Sequence, residues 1–272
     1  MSATQIDKAL RFRTLHENEG VFLIPNPWDA GSARILAGVG FEAFATSSSA
    51  CAAVLGRRDH RITRAEALTH IQGIAKATDL PLSADLENGF GDDPATVAET
   101  IHMAAEAGAV GGSIEDAPFD KATPLYEIER AADRMAAGVQ AARALPFRFT
   151  LTARAENFVR DQPDLDDAIR RLQAYENAGA DVLFAPGLPD LAAVRAVCAA
   201  VSKPVNFMVG IRGKSFSLAE LAGAGVRRIS FASSLYRAAM TRLVEVAQEV
   251  RRTGTFVYLD LINPDLNRFL ED

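Results

Sequence analysis

Short, unbroken apolar runs alternate along this chain with longer stretches in which apolar residues recur every three or four positions. The first rhythm predicts strands covered on both faces, and the second predicts helices with one face against a sheet. The first pair is "VFLIPN" followed by "WDAGSARILAGVG". Next come "EAFATSS" with "RAEALTHIQGIAKATD", "LPLSAD" with "PATVAETIHMAAEAG", and "AVGGSIED" with "LYEIERAADRMAAGVQAARAL". The second half supplies "FRFTLTAR" with "DLDDAIRRLQAYENAG", "ADVLFAPG" with "DLAAVRAVCAAV", "KPVNFMVG" with "SLAELAGAG", and "VRRISFAS" with "SLYRAAMTRLVEVAQEVRRTG".

Eight strand–helix units in one chain predict a closed parallel (β/α)8 TIM barrel. Several helices end in "AG" or "TG" directly before a strand, where glycine tolerates the left-handed turn. An open doubly wound sheet would carry a Gly-rich phosphate turn after its first strand, and "NPWDAGSA" is not one. No linker or low-complexity segment divides the chain. Residues 1–272 are therefore read as one barrel domain, with 255–272 a C-terminal extension.

Composition narrows the function. A 49% hydrophobic content over 272 residues suffices for a substantial core. The net charge of −6 and the lack of a basic block argue against a nucleic-acid partner. No signal-peptide core and no membrane-spanning apolar run are present, so a membrane role is not expected. The two cysteines, Cys51 and Cys198, lack metal-site spacing and fit a reduced, cytoplasmic setting.

In barrels of this kind chemistry sits at the C-terminal ends of the strands. Those ends carry Asn26, Trp28 and Asp29, then Thr46 to Ser49, then Asp85, Glu87 and Asn88, then Glu115 and Asp116. Arg154, Glu156 and Asn157 follow on strand five, Asn206 on strand seven, and Ser230, Ser233 and Ser234 on strand eight. Asp85 and Glu87 are two apart, so on a strand both point to one side and repel. Hard oxygen ligands on adjacent strands suit Mg²⁺ or Mn²⁺. The metal ligands are thus expected among Asp85, Glu87 and Glu115. The other reading is an acidic rim neutralised by Arg57, Arg58 and Arg154. The serine run "TSSSA" reads as a cradle for a substrate carboxylate, or as a small-residue loop. Trp28 either walls the pocket or plugs the barrel rim. His16, His60, His70 and His102 lie away from strand ends and read as surface histidines rather than catalytic bases.

The ordered set "IPNPWDAGSARI", "ATSSSACAAVLGRRD", "SADLENGFGDD", "GGSIEDA" and "LTARAENF" resembles the isocitrate lyase and phosphoenolpyruvate mutase superfamily over essentially the whole chain. The resemblance implies a barrel whose eighth helix swaps between subunits of a homodimer or homotetramer. It implies Mg²⁺ held chiefly by Asp85, with Asp59, Glu87 and Glu115 in support. Glu87 stands where the family usually has Asp. It also implies that Ser47 and Ser48 bind the substrate carboxylate with Arg154 as a second clamp. Asp59, Glu115 and Arg154 are the expected catalytic groups, and Trp28, Ser47, Ser48, Asp85, Arg154 and Asn206 the expected substrate-binding ones. The shared chemistry makes or breaks a bond beside a 2-oxo acid.

The departures are specific. The lyases carry a Lys-Lys/Arg-Cys-Gly-His segment after strand four, whereas "EDAPFDKATPLYEIE" has no Cys, no His and only Lys121. Neither Cys51 nor Cys198 is placed to substitute. The mutases use a longer gating loop with Lys and Asn, and "FAPGLPD" after strand six lacks an acid found in the lyases. The expected function is a Mg²⁺-dependent carbon–carbon lyase or decarboxylase acting on a small 2-oxo or 2-hydroxy carboxylic acid. One alternative is phosphorus–carbon chemistry, with Arg57, Arg58 and Lys121 as loosely placed positive groups. The other is a barrel that binds 2-oxo acids without turning them over.

Overall fold

The structure is a computed structural model that describes residues 3–120, 122–214, 216–262 and 264–270. Its strands are β1 (Phe22–Ile24), β2 (Phe44–Ala45), β3 (Leu82–Asp85), β4 (Gly111–Glu115), β5 (Thr150–Arg154), β6 (Val182–Phe184), β7 (Val205–Met208) and β8 (Arg228–Ser230). They form a parallel sheet in the order β1-β8-β7-β6-β5-β4-β3-β2. Between β1 and β2, the Ala45 N–H donates to the Pro25 carbonyl at 3.0 Å and closes the ring. Asn26 ties the same corner: its amide donates to the Thr46 carbonyl at 2.7 Å, and its oxygen accepts from the Phe231 N–H at 2.8 Å. The expected (β/α)8 barrel is the observed fold.

The helices are α1 (Gln5–Glu17), α2 (Ala30–Val39), α3 (Ser48–Val54), α4 (Arg64–Ala77), α5 (Pro94–Glu106), α6 (Ile128–Ala144), α7 (Leu165–Asn177), α8 (Leu191–Ala200), α9 (Leu218–Gly223) and α10 (Ser234–Thr253). Local chemistry sets their ends. Thr63 caps α4 with a reciprocal Glu66 contact, and Asp29 and Ser32 do the same for α2. Gly40 ends α2 with φ 105°, a backbone that a side chain resists. Two helices depart from the pattern read in the sequence. The serine run is not a plain loop, because Ser47 caps α3 and Ser48 begins it. The polar N-terminus forms α1, which covers the N-terminal end of the barrel.

That cover is made by side chains. Phe12 packs so tightly on Gly111 that a Cβ there would overlap its ring. Gln5 donates to the carbonyls of Ala105 and Ala109 at 2.7 and 3.0 Å. His16, expected at the surface, is buried against Phe12 and Phe22. Its Nδ1 lies 2.8 Å from the Phe12 carbonyl and its Nε2 3.3 Å from Arg228 Nη1. A carbonyl accepts and a guanidinium donates, so only the neutral imidazole protonated on Nδ1 satisfies both. At the other end of the chain α10 has no buried residue. Leu243, Val244, Phe256, Val257 and Leu261 are all exposed. No helix among the described residues is long and apolar enough to cross a membrane.

The buried imidazole predicts an acid sensitivity. Burial first, then the Arg228 charge, pulls the His16 pKa down to about 3. The folded chain leaves His16 neutral until that pH, while the unfolded chain protonates it near 6.5. Stability is therefore expected to fall as pH drops from about 6.5 toward 3, by up to about 1.4 kcal/mol per unit from this group. Thermal melts of wild type and His16→Gln across pH 7 to 4 measure it. Equal acid sensitivity in both would show that other groups carry the effect.

Candidate active site

A cavity of about 310 Å³ opens at the C-terminal ends of the strands. Its walls include Ser47, Ser48, Asp59, Asp85, Glu115 and Arg154. Each arrives there because a buried strand ends beside it: Asp85 closes β3, Glu115 closes β4, and Arg154 closes β5.

Arg154 is the hub. It meets Asp85 at 3.0 Å, Glu115 at 3.3 Å and Glu156 at 2.9 Å. Its guanidinium also lies 5.2 Å from the centre of the Phe184 ring. Burial opposes the Arg154 charge, but Glu156, Glu115 and Asp85 outweigh it and raise its pKa. Arg160 adds a second cation 3.5 Å from Glu115. Asp85 is further held by the Ser48 N–H at 2.9 Å, the first amide of α3.

The acids still outnumber these cations: Asp59, Asp85, Glu87, Glu115 and Glu156 face Arg154 and Arg160. The surplus shows in the protonation equilibria. Burial, with Asp85 and Asp59 beside it, pushes the Glu87 carboxyl up to about 8. Burial and the neighbouring Glu156 push Glu115 well above the carboxylate range, against the pull of Arg154. Burial raises Glu156 as well.

Glu87 carries the clearest sign of a missing charge. Both its carboxylate oxygens are buried with no hydrogen-bond partner. Its backbone has φ 48°, a left-handed turn that a side chain adopts at some cost. Two contacts maintain that turn. The Glu115 N–H donates to the Glu87 carbonyl at 2.9 Å. Behind it the buried Arg134 of α6 donates to the carbonyls of Asn88 and Gly91 and stacks on Tyr126. Ligand atoms of Glu87, Asp59 and His60 lie within 4.8 Å of one another. An orphaned buried carboxylate among further acids fits a hard divalent cation, and the oxygen donors suit Mg²⁺ or Mn²⁺.

The structure thus gathers most of the residues singled out in the sequence. Ser47, Ser48, Asp59, Asp85, Glu115, Arg154 and Asn206 line one cavity. Glu87 sits behind that wall, within the acid cluster. Trp28 does not line the cavity; its ring meets Tyr236 of α10 at 5.6 Å. His60, read as a surface group, lines the cavity on a left-handed backbone of φ 59°. His70 donates to or accepts nothing catalytic here: its Nε2 lies 2.9 Å from the Trp28 carbonyl, where only a donor fits. Arg57 is held by Glu66 at 2.7 Å, Tyr126 hydrogen-bonds Asp92, and Lys121 lies outside the described residues. Both cysteines are raised to about 11 by burial, which leaves them poor nucleophiles. Arg160 and Arg228 also line the cavity, and neither was singled out in the sequence.

Comparison with known proteins places this geometry. The profile of the phosphoenolpyruvate phosphomutase family matches residues 12–251. A solved structure of a lyase/mutase candidate from Burkholderia cenocepacia J2315 is 54% identical with a TM-score of 0.95, covering 97% of this chain and 96% of that one. The 2-methylisocitrate lyase of Escherichia coli (strain K12) is 32% identical over 90% of this chain and 84% of its own length. An oxaloacetate decarboxylase of Bradyrhizobium diazoefficiens is 33% identical over 72% of this chain and 68% of its own.

Proposed function

The chain belongs to the superfamily of phosphoenolpyruvate mutase and isocitrate lyase, and from that premise we propose that it is a Mg²⁺-dependent carbon–carbon lyase. Its substrate is a small 2-oxo or 2-hydroxy carboxylic acid, and decarboxylation of an oxaloacetate-like acid is the specific form. The observation that carries this reading is the surplus of buried acid around Arg154, with both oxygens of Glu87 unpartnered. Relatives named as 2-methylisocitrate lyase and as oxaloacetate decarboxylase support it.

Asp85, Glu87 and Asp59 are the groups that would hold Mg²⁺, with Glu115 in support. A bound cation supplies positive charge beside the oxygen on which negative charge develops, an effect worth several kcal/mol in a dry site. The chain's own residues do the rest. Arg154 keeps positive charge at the cavity wall among Asp85, Glu115 and Glu156, where the substrate carboxylate would bind beside Ser47 and Ser48. Asn206 lines the wall below. Phe184 and Met208 add apolar surface to that wall. The loop after β4 offers no Cys or His to protonate a leaving carbanion. Loss of CO₂ needs only an electron sink at the outset, so it tolerates that lack best. Phosphorus–carbon chemistry finds less support, because Arg57 is engaged by Glu66.

The exposed apolar residues of α10 and the segment after it support self-association, as a dimer or tetramer that buries them. Two free cysteines fit a cytoplasmic enzyme.

Three measurements test these proposals. Calorimetric titration with Mg²⁺ is expected to show at least tenfold weaker binding in Asp85→Ala and Glu87→Gln, and a much milder change in Glu87→Asp. Full affinity in Asp85→Ala would move the site to Asp59, His60 and Glu87 alone. A panel of oxaloacetate, 2-methylisocitrate and phosphonopyruvate with Mg²⁺ is expected to show turnover of oxaloacetate only. Cleavage of 2-methylisocitrate near or above about 1 s⁻¹, the low end of ordinary enzyme rates, would reject the argument from the loop after β4. Truncation after Gly254, followed by light scattering, is expected to reduce the oligomer; an unchanged mass would reject assembly through the C-terminal segment.

A further inference from the structure

The floor of the cavity holds a cation that the catalytic argument leaves unused. Arg228 opens β8, lines the cavity, and is only 4% exposed. Its three partners are all neutral. Nε donates to Asn206 Oδ1 at 2.8 Å, Nη2 to Thr152 Oγ1 at 3.0 Å, and Nη1 to the neutral His16 at 3.3 Å. Among the described residues no carboxylate lies within ion-pair distance of it, in contrast to Arg154 a few strands away. Burial pulls its pKa down to about 9, which leaves it charged at neutral pH. A buried guanidinium without a counter-ion is costly and rare. A guanidinium has five N–H donors, and three are engaged here, which leaves two for a ligand.

The barrel interior around it is open rather than filled. Barrels of this type usually pack bulky branched side chains into their centre. Here Ser83, Ser113, Asn206 and Ser230 face the cavity instead. These short polar groups let the cavity descend from the acid cluster to Arg228. Arg228 and Ser230 are two residues apart on β8, so the floor lies roughly 6–7 Å below the strand end at ordinary strand rise. Arg228 Nη2 donates to Thr152, two residues before Arg154 on β5, so the two guanidiniums stand at different depths of the same cavity.

We propose that Arg228 is the receptor for a second, distal carboxylate, so that the substrate is a dianionic 2-oxo acid bound head-up at Arg154 and tail-down at Arg228. This rests on the lyase reading for the identity of the head group.

The test compares two five-carbon 2-oxo acids that differ only at the far end: 2-oxoglutarate ends in a carboxylate and 2-oxovalerate in a methyl. Calorimetry in Mg²⁺ buffer is expected to show 2-oxoglutarate binding at least tenfold more tightly to the wild-type protein. In Arg228→Met that ratio is expected to fall to about one, with 2-oxovalerate affinity little changed. In Arg228→Lys, which keeps the charge but not the fork, part of the preference is expected to survive. Equal affinities in the wild type overturn the proposal whether or not the Met variant folds, and so does weak binding of both acids. A preference that persists undiminished in the Lys and Met variants overturns it as well. Absence of turnover across the substrate panel, with the binding preference intact, would remove the lyase reading and leave the Arg228 subsite standing.

Discussion

The arrangement at the mouth of this barrel depends on one guanidinium. Arg154 is in contact with carboxylates from the ends of β3 and β4 and from its own loop, at 3.0, 3.3 and 2.9 Å. Three acids this close, two of them buried, would otherwise repel one another. The hub explains why the site can concentrate acid at all, and also why it stops short of neutrality. One arginine cannot satisfy every carboxylate, and the deficit falls on Glu87, whose oxygens make no hydrogen bond of normal geometry and whose carboxyl is eased only by Arg154 and the Ser48 side chain. Keeping so unfavourable a group buried, on a left-handed backbone, costs stability that the protein contacts alone do not return.

The same logic operates behind the site. Asp116 is fully buried, yet it accepts from the Tyr175 hydroxyl at 2.5 Å, the Glu156 N–H at 2.8 Å and Arg171 at 3.2 Å. Those contacts fix the loop that carries Glu156 against Arg154. Arg134 does the equivalent work for the loop that carries Glu87. Asp116, fully paired, and Arg134, paired through both Nη atoms, thus hold the less satisfied groups in front of them. That contrast separates structural charge from charge available for binding, and by it Asp116 and Arg134 are structural despite their burial.

What the sequence made legible follows from this division. Strands and helices were readable because both faces of a parallel barrel strand are covered and each helix buries one stripe, so both periods stand out. Asp85, Glu115 and Arg154 were readable because each directly follows a buried run. His60 was not, because its place in the cavity comes from a left-handed loop with no strand to index it. The serine run was half read: its groups do line the cavity, but they begin a helix whose first amide is already spent on Asp85. Trp28 pointed to the pocket by its place after β1, and its ring meets Tyr236 of α10 rather than lining the cavity.

Arg228 was hidden for a different reason. In "VRRIS" two arginines sit side by side in a short strand, and alternation alone does not say which one faces the barrel axis. Pairing decides it: Arg228 stands in register with Asn206 on β7 and Phe22 on β1, and the neutral face of His16 comes up from below. Arg227 turns the other way and donates to the carbonyls of Asn18 and Gly20. The N-terminal helix α1 therefore has two consequences. It plugs the barrel with Phe12, and through His16 it supplies an acceptor that carries no charge. Had an acid stood at position 16, the guanidinium would be paired and the floor of the cavity neutral. Because the plug offers an imidazole forced into its neutral form, positive potential remains at the bottom of a cavity whose upper wall is rich in acid. A ligand that spans such a field carries its own negative charge at the lower end, and reaches the acids above only through a cation or Arg154.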